Sequence, residues 1–311
     1  MDWTVTVPGR LDAFITSQDA SFTRSRIQKE IDHGNVSVNG KHVTKASLRL
    51  KSGDRVSLDT DTASIPKESP IEPRDLHLTV LYEDDSCLVI DKPAGISVHP
   101  GAGMSPGETT ILNGVAFLFQ GRAILFSPES VLVHRLDKDT TGCLLIAKNP
   151  QAHVFYQEQF AKRSIEKVYL ALVAGVPKVS EAIIDAPIGR SLMQKVKMSV
   201  FRTRESREAR TRYLVLQSKD LVSLVECRPE TGRTHQIRLH LSSLGHPILG
   251  DETYGSAQSH TLSEKYKVKR MCLHAWKLRF QSFVIQEELN AQSDIAKDFL
   301  GVLENVGLER V

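Results

Sequence analysis

The sequence predicts an α+β protein in which a mixed, largely antiparallel β-sheet forms a large domain behind a small N-terminal α+β module. Short apolar runs typical of buried strands recur along most of the chain, but helices do not alternate with them regularly. A proline-rich polar segment separates these runs from the shorter N-terminal part. Regular alternation would favour a doubly wound parallel sheet, so its absence favours the antiparallel arrangement.

The composition indicates a globular protein with a packed core. Of the 311 residues, 41% are hydrophobic and 25% are charged, which argues against wholesale disorder. The four cysteines show no C-x-x-C spacing, so we expect reduced thiols and a cytoplasmic location. The N-terminus lacks the pattern of a signal peptide and no run of about 18 apolar residues occurs, so no membrane partner is expected.

Residues 1–60 are predicted to fold as helix, helix and hairpin. Residues 25–31 have the spacing of a short helix, with Ile27 and Ile31 on one face, and Gly34 follows as a stop signal. A short apolar strand then meets Asn39-Gly40, a pair that predicts a two-residue hairpin turn.

Basic residues are concentrated in one part of this module. Eight Lys or Arg residues stand against three Asp or Glu between residues 20 and 55. Such a density predicts phosphate contacts, with Arg26 and Lys29 as candidates, whereas a solvated charged face explains the count equally well.

Residues 61–75 are predicted to be an exposed linker. Pro66, Pro70 and Pro73 stand among acidic and hydroxyl residues, and proline pushes the residue before it into extended conformations. The predicted organisation is therefore a module at 1–60, a linker at 61–75 and a larger domain at 76–311.

The larger domain contains four apolar runs that we interpret as buried strands, at residues 87–90, 131–133, 143–147 and 170–173. A helix is predicted to begin at Asn149 as N-cap, with Pro150 in its first position, and to end near Lys162.

A polar loop, residues 134–142, lies between two of these runs and includes His134, Asp137 and Asp139. A rigid frame of strands can hold one loop side chain at a fixed point facing a ligand. A charged turn with internal salt bridges is an equal alternative from spacing alone. The loop could supply metal ligands, but no second cluster has the spacing to complete a coordination shell, so no metal is expected.

A second polar segment spans residues 228–241. Thr234 is predicted to cap a helix that carries Ile237 and Leu241 on its apolar face, and Gly245 would end it. Arg233 would then lie at the helix N-terminus, where the backbone N–H groups favour anions. Taken alone, this pattern favours a purely structural arginine.

Taken together, residues 134–142 and 228–240 resemble the two signature motifs of the RluA/RluD family of pseudouridine synthases. Further matches follow the family's order, at Asp91–Gly95, Val98–Gly101, Lys167–Tyr169, Gly250–Asp251, Tyr254–Gly255 and Leu273–Ala275. Residues 8–60 resemble the small RNA-binding domain named after ribosomal small-subunit protein four, on Gly9–Asp12, Ser25–Ile27 and Val38–Gly40. The resemblance implies the pseudouridine synthase fold and covers most of the chain.

The resemblance also implies the chemistry. These enzymes isomerise uridine in RNA without a cofactor, and an ionised carboxylate acts on the bound nucleotide; that residue corresponds to Asp137. Arg233 would be the cation beside it, and the Tyr169 ring would stack on uracil while its hydroxyl handles the C5 proton. Ile237 or Leu239 would close the base pocket.

Substrate RNA is expected to meet further basic residues. By resemblance, Arg135 fills the stack that a flipped base leaves, and the adjacent His134 is expected to contact RNA as well. Residues 189–213 hold eight Lys or Arg against two Asp or Glu, so Arg207 and Arg210 are candidates for backbone contacts, with a solvated strand as the alternative.

A body with an appended RNA-binding domain resembles the enzymes that act on large-subunit ribosomal RNA more than those that act on transfer RNA, so this resemblance implies a ribosomal substrate. We also expect a monomer. Alternatives are a synthase acting on transfer RNA, a catalytically inactive RNA-binding protein, and a metal-dependent RNA hydrolase that uses Asp137 and Asp139. The acidic tail, residues 281–311, carries none of the family's motifs and its role stays open.

Overall fold

The chain divides into two compact units, Met1–Pro70 and Ile71–Val311. The computed structural model describes all residues except 20–21, 23, 33, 60–70, 102–103, 106, 193–196 and 202; the side chains of residues 24–26, 29 and 204 also lie outside the described part. Residues 61–70 of the predicted linker therefore fall among the undescribed residues.

The last residues of that predicted linker belong to the second unit. The Asn113 side-chain amide donates to the Glu72 carbonyl at 2.9 Å, and Ile71 packs against a core of buried apolar residues. Assigning residues 71–75 to the linker was wrong, because a polar, proline-rich composition does not distinguish a free segment from extended chain held against a domain.

The described residues of the first unit form two helices and two small sheets. Its helices are α1 (Leu11–Gln18) and α2 (Arg24–Asp32), and its strands are β1 (Asp2–Thr4), β2 (Gly9–Arg10), β3 (Val36–Val38), β4 (Lys41–His42), β5 (Arg49–Leu50) and β6 (Arg55–Leu58). One sheet has the order β1-β6-β3-β4, and β2 pairs with β5. The predicted helix and hairpin are confirmed: Ile27 and Ile31 are buried, and Asn39 and Gly40 have φ values of 52° and 75°, as the predicted turn requires.

The second unit is larger and contains one extended sheet. Its strands are β7 (Thr79–Glu83), β8 (Cys87–Lys92), β9 (Thr141–Ala147), β10 (Glu166–Ala174), β11 (Glu181–Asp185), β12 (Ile188–Ser191), β13 (Met198–Ser199), β14 (Thr203–Arg207), β15 (Arg210–Lys219), β16 (Val222–Pro229), β17 (Leu273–Gln281) and β18 (Glu288–Gln292). Its helices are α3 (Ile111–Gln120), α4 (Pro150–Ala161), α5 (Gln236–Ser243), α6 (Ala257–Lys265) and α7 (Lys297–Val306), with a 3₁₀ turn at Pro128–Ser130.

The extended sheet is mixed and largely antiparallel, as the sequence predicted. Its strand order is β11-β15-β16-β10-β17-β9-β8-β7, with β18 also paired to β17. Among the described residues, β9 and β17 form the one parallel pair, and the other neighbours are antiparallel. Strands β12, β13 and β14 form a separate three-stranded sheet.

Local sequence signals located several of these elements. Helix α4 begins where predicted: Asn149 is its N-cap and accepts the Ala152 N–H at 2.8 Å, and Pro150 takes the first position. The strand predicted at 131–133 is wrong, because only an isolated bridge joins Leu132 to Ile146. Val131 and Val133 are buried there by packing, which an apolar run cannot distinguish from strand pairing.

Helices α5, α6 and α7 pack on strands β10, β16 and β17 around the largest apolar core, whose members include Leu172, Leu224, Leu241 and Phe299. In the part of the chain that the structure describes, no helix is long and apolar enough to cross a membrane. The same residues contain no group of three His, Cys, Asp or Glu side chains placed to hold a metal ion.

Candidate active site

The loop that carries Asp137 opens into a cleft of about 870 Å³. Three chain segments supply most of its lining: the loop itself with the residues before it, the end of α4 with the start of β10, and the segment that leads into α5 together with the first turn of that helix. His99 and Leu273 also line it. Among the lining residues are His134, Arg135, Asp137, Lys167, Tyr169, Arg233, Ile237 and Arg238. The two sequence segments that suggested chemistry therefore meet at one place.

A buried lysine holds the Asp137 loop. Lys92 is 0% exposed, and its ammonium donates to the carbonyls of Pro93 at 2.7 Å, Lys138 at 2.8 Å and Thr140 at 3.0 Å. Burial lowers the pKa of Lys92 to about 8, because removal from water disfavours the charged form. The backbone just after Asp137 is thereby fixed to the end of β8.

Asp137 is paired with Arg238. Arg238 Nη1 donates to Asp137 Oδ2 at 3.0 Å, while Nε and Nη2 of the same guanidinium bind the two oxygens of Asp251 at 2.7 and 2.8 Å. The Arg238 side chain is 10% exposed and that of Asp251 is 1% exposed. Burial lowers the pKa of Arg238, but the two carboxylates outweigh burial and raise it, so the guanidinium is a permanent cation.

Asp251 fixes this arginine. Burial alone would raise the pKa of Asp251, but the hydrogen bonds and charge of Arg238 outweigh burial and lower it. The backbone N–H groups of Thr253 and Tyr254 donate to Asp251 Oδ1 at 2.9 and 3.1 Å. A planar guanidinium whose Nε and Nη2 edge is held by both oxygens of Asp251 leaves Nη1 for Asp137, which sets the orientation of that carboxylate.

The predicted partner of Asp137 is wrong. Arg233 Nε donates instead to the Glu208 carbonyl at 3.0 Å. Helix α5 begins at Gln236, with His235 rather than Thr234 as its N-cap and with a left-handed φ of 56°, so Arg233 lies before the helix and turns toward Glu208. The cation sits instead in the first turn of α5, at Arg238.

The sequence did contain a signal for Arg238. The residue stands between the apolar positions Ile237 and Leu239 of a helix that is buried through most of its length. An arginine in such a helix requires a buried anionic partner, and the spacing could not say which carboxylate the fold would supply. Asp251 matched the family pattern without receiving a role, and it was missed for the same reason.

His235 and Tyr254 complete the surroundings of Asp137. His235 Nδ1 and the Tyr254 hydroxyl are hydrogen-bonded at 2.8 Å, and His235 Nε2 lies 4.0 Å from Asp137 Oδ1. Burial lowers the pKa of His235 and outweighs the opposing charge of Asp137. The Tyr254 ring faces the Arg238 guanidinium at 5.0 Å. Sequence reasoning assigned a role to neither residue.

Tyr169 lines the cleft from strand β10, as the resemblance implied. Burial raises the pKa of its hydroxyl, and the charge of Asp137 raises it further. Tyr169 is therefore a neutral phenol near Asp137. Lys167, two residues earlier on the same strand, also lines the cleft, and burial lowers its pKa to about 8.

His134 is a structural part of the loop. Its Nε2 accepts the Leu145 backbone N–H at 2.9 Å and its ring stacks on Phe160 at 4.7 Å. Burial lowers the pKa of His134 to about 3, so the ring is neutral and its accepting nitrogen is occupied. An RNA contact predicted for His134 is not supported by this geometry.

Arg135 lines the cleft with an exposed side chain, and its Nη1 donates to His99 Nε2 at 2.9 Å. Of the two residues predicted to close the base pocket, Ile237 lines the cleft and Leu239 does not. Leu239 packs instead with Ile188 and Ala209, because residues two positions apart in a helix point to different faces.

The residues predicted to bind the RNA backbone differ in whether their charge is already paired within the protein. Arg207 is exposed on β14. Arg210 is paired with Asp185 at 3.3 Å and Glu230 at 3.1 Å, so its charge is already neutralised within the protein. The side chains of Arg26 and Lys29 lie outside the described residues.

The known proteins that this chain resembles are pseudouridine synthases. Residues 86–243 match the family described as RNA pseudouridylate synthase, and residues 9–56 match the S4 domain. An uncharacterized RNA pseudouridine synthase of Chlorobaculum parvum is 41% identical, covering 97% of this chain and 95% of the relative. The ribosomal large subunit pseudouridine synthase D of Zymomonas mobilis is 36% identical over 93% of this chain and 91% of the relative. The solved structure of human RNA pseudouridylate synthase domain containing 4 is similar, with a TM-score of 0.59, 31% identity, and coverage of 75% of this chain and 94% of that one.

Proposed function

The chain belongs to the RNA pseudouridylate synthase family and is an RNA pseudouridine synthase, and on that premise we propose that the Asp137 carboxylate carries the reaction on uridines of large-subunit ribosomal RNA. The observation that carries the proposal for Asp137 is its ion pair with a buried arginine inside the cleft. The ribosomal substrate is supported by the N-terminal S4 domain and by the Zymomonas mobilis relative, whose name refers to the ribosomal large subunit.

The reaction is an isomerisation within one nucleotide. The bond between uracil N1 and ribose C1′ breaks, the base turns, and a bond forms between C5 and C1′, while the proton on C5 leaves and N1 gains one. Atoms and electrons balance without a redox partner or energy donor. The protein must therefore supply a reacting group, a pocket in which the base can turn, and a path for one proton.

The Asp137 carboxylate supplies the reacting group, and its two oxygens have different surroundings. Its Oδ2 is tethered to Arg238, while Oδ1 lies beyond hydrogen-bond distance of His235 at 4.0 Å. We assign the reaction to Oδ1, since the tethered oxygen shares its electrons with the guanidinium. The fixed tether prepays the entropic cost of orienting the carboxylate toward the nucleotide.

Tyr169 can form the path for the C5 proton, but only as a relay. A neutral phenol is a poor base, so Tyr169 can take the C5 proton only while passing on its own. Its ring also offers a face for the uracil, and Ile237 offers an apolar wall. A uridine in folded RNA must be flipped to reach this cleft, at a cost of a few kcal/mol, and the exposed Arg135 beside the cleft can occupy the vacated stack.

The test compares Asp137→Asn with Asp139→Asn. Both substitutions remove one carboxylate from the same loop, but the Asp139 side chain is exposed and does not line the cleft. The parent and each variant are incubated with total RNA from cells that lack the enzyme. Pseudouridine is then mapped at nucleotide resolution, and RNA affinity is measured separately. We expect Asp137→Asn to bind RNA within a few-fold of the parent and to form no pseudouridine, and Asp139→Asn to remain active.

Each alternative gives a different result. A normal yield from Asp137→Asn, free of host enzyme, contradicts the assignment of Asp137. Sites that map to transfer RNA instead of the large ribosomal subunit contradict the substrate. An RNA hydrolase using both aspartates predicts chelator-sensitive strand cleavage and loss of activity in both variants, and a binding protein predicts no product from the parent.

A further inference from the structure

The backbone that follows Asp137 is held by side chains from elsewhere in the chain. Three consecutive carbonyls point at cations: Lys92 binds those of Lys138 and Thr140, and Arg270 Nη1 donates to that of Asp139 at 3.1 Å. Within the loop itself, the Thr140 N–H donates to the Asp137 carbonyl at 3.1 Å. The position of Asp137 thus depends on two cations that lie outside its own loop.

Arg270 is in turn held by the C-terminal helix. Its Nε and Nη2 bind both oxygens of Asp298, in the first turn of α7, with the Nη2 bond at 2.7 Å. Its Nη2 also lies 3.4 Å from Thr141 Oγ1, the first residue of β9. The Arg270 side chain is 12% exposed, and its hydrogen bond with Asp298 lowers the pKa of that carboxyl despite the opposing effect of burial. One guanidinium therefore joins α7 to the loop.

Helix α7 is anchored well enough to serve as a support. Phe299, Val302, Leu303 and Val306 are buried in the core that contains strands β10 and β17. Because α7 is packed into this core, Asp298 has a fixed position and can restrain Arg270. A carboxylate on a mobile tail would move with Arg270 and could not restrain it.

We propose that Arg270 is a positioning residue for Asp137. In this proposal Asp298 of the C-terminal helix holds Arg270 in place, so the acidic tail, residues 281–311, contributes to the orientation of Asp137. The inference rests on the proposed role of Asp137. A shift of about 1 Å in a reacting group can cost about a hundred-fold in rate, and release of the Asp139 carbonyl would allow such a shift without altering the cleft walls.

The experiment uses the full-length protein with Asp298→Asn, Arg270→Lys and two control variants. Val302→Ala opens a cavity under the same helix but leaves Arg270 and its partners intact. Glu304→Gln removes an exposed acid of α7 that pairs with Arg310 at 3.1 Å. Single-turnover pseudouridine formation, RNA affinity, thermal unfolding and amide hydrogen exchange of residues 138–141 are measured for each variant.

We expect Asp298→Asn and Arg270→Lys to slow the single-turnover rate by roughly ten-fold or more, with RNA affinity unchanged and hydrogen exchange faster in the loop. Val302→Ala should lower the Tm and leave the rate at 25 °C near that of the parent, and Glu304→Gln should change neither. The double variant of Arg270 and Asp298 should be no slower than Arg270→Lys alone, because both changes break one connection.

Two results would overturn the inference: a rate within two-fold of the parent for Asp298→Asn, or a rate loss in Val302→Ala that matches Asp298→Asn at equal loss of Tm. The second result would mean that α7 contributes stability alone. Failure of the underlying assignment is seen separately, since an active Asp137→Asn removes the role of Asp137 whatever the α7 variants do.

Discussion

The structure pairs Asp137 with Arg238, whereas the sequence resemblance assigned that role to Arg233. Comparing the stability and turnover of Arg238→Lys with those of Arg233→Lys distinguishes the two assignments. Lysine keeps the positive charge and most of the side-chain length at both positions. It cannot reproduce three N–H bonds in the plane of a guanidinium, because an ammonium is a point charge on a flexible chain. The pair of variants thus tests geometry at constant charge.

The magnitude follows from the contacts of each side chain. Arg238 makes three charge-assisted hydrogen bonds of 2.7, 2.8 and 3.0 Å and is 10% exposed. A lysine would keep about one of them and lose the other two, and each bond to a charged group is worth about 1.5–3 kcal/mol, so we expect the free energy of unfolding to fall by about 3–6 kcal/mol. Arg233 donates one hydrogen bond to a backbone carbonyl, so Arg233→Lys should change the free energy of unfolding by no more than about 0.5 kcal/mol.

Activity should separate the two variants more widely. Loss of the tether frees the Asp137 carboxylate, and we expect Arg238→Lys to react about a hundred-fold more slowly with RNA affinity retained. Urea unfolding, filter binding and single-turnover pseudouridine formation, each at one temperature well below the Tm, measure the three quantities. Near-normal turnover in Arg238→Lys together with an inactive, stable Arg233→Lys would refute this reasoning and return the role to Arg233.

Three further results are expected. Tyr169→Phe keeps the ring but removes the proton relay, so it should bind RNA and stall after the glycosidic bond breaks; normal turnover would make Tyr169 a packing residue. His134 and His274 have pKa values lowered by burial to about 3 and about 4 from 6.5, so the stability that they contribute is complete above pH 6.5 and is lost as the pH falls toward those values. The unfolding free energy of His134→Asn should therefore depend less steeply on pH between 6.5 and 4 than that of the parent. Deletion of residues 1–70 should leave a folded unit with a shallower salt dependence of RNA binding, and an unchanged slope would contradict an RNA-binding role for the first unit.

Local patterns in the sequence determined the class of fold and many of its elements. The Asn149-Pro150 start of α4 and the Asn39-Gly40 turn follow from the conformations of a few neighbouring residues, so they could be predicted without knowledge of the rest of the chain. The loop that presents Asp137 was located in the same way, by the polar run ahead of β9.

Tertiary structure alone decided which groups surround Asp137. Arg238 lies 101 residues from its partner along the chain, and Arg270 reaches both the Asp137 loop and the C-terminal helix. A spacing pattern records which face of an element is buried, but the partner of a buried charge depends on which elements pack together. Burial makes an unpaired charge costly, so the fold that forms is one in which each of these arginines meets a carboxylate.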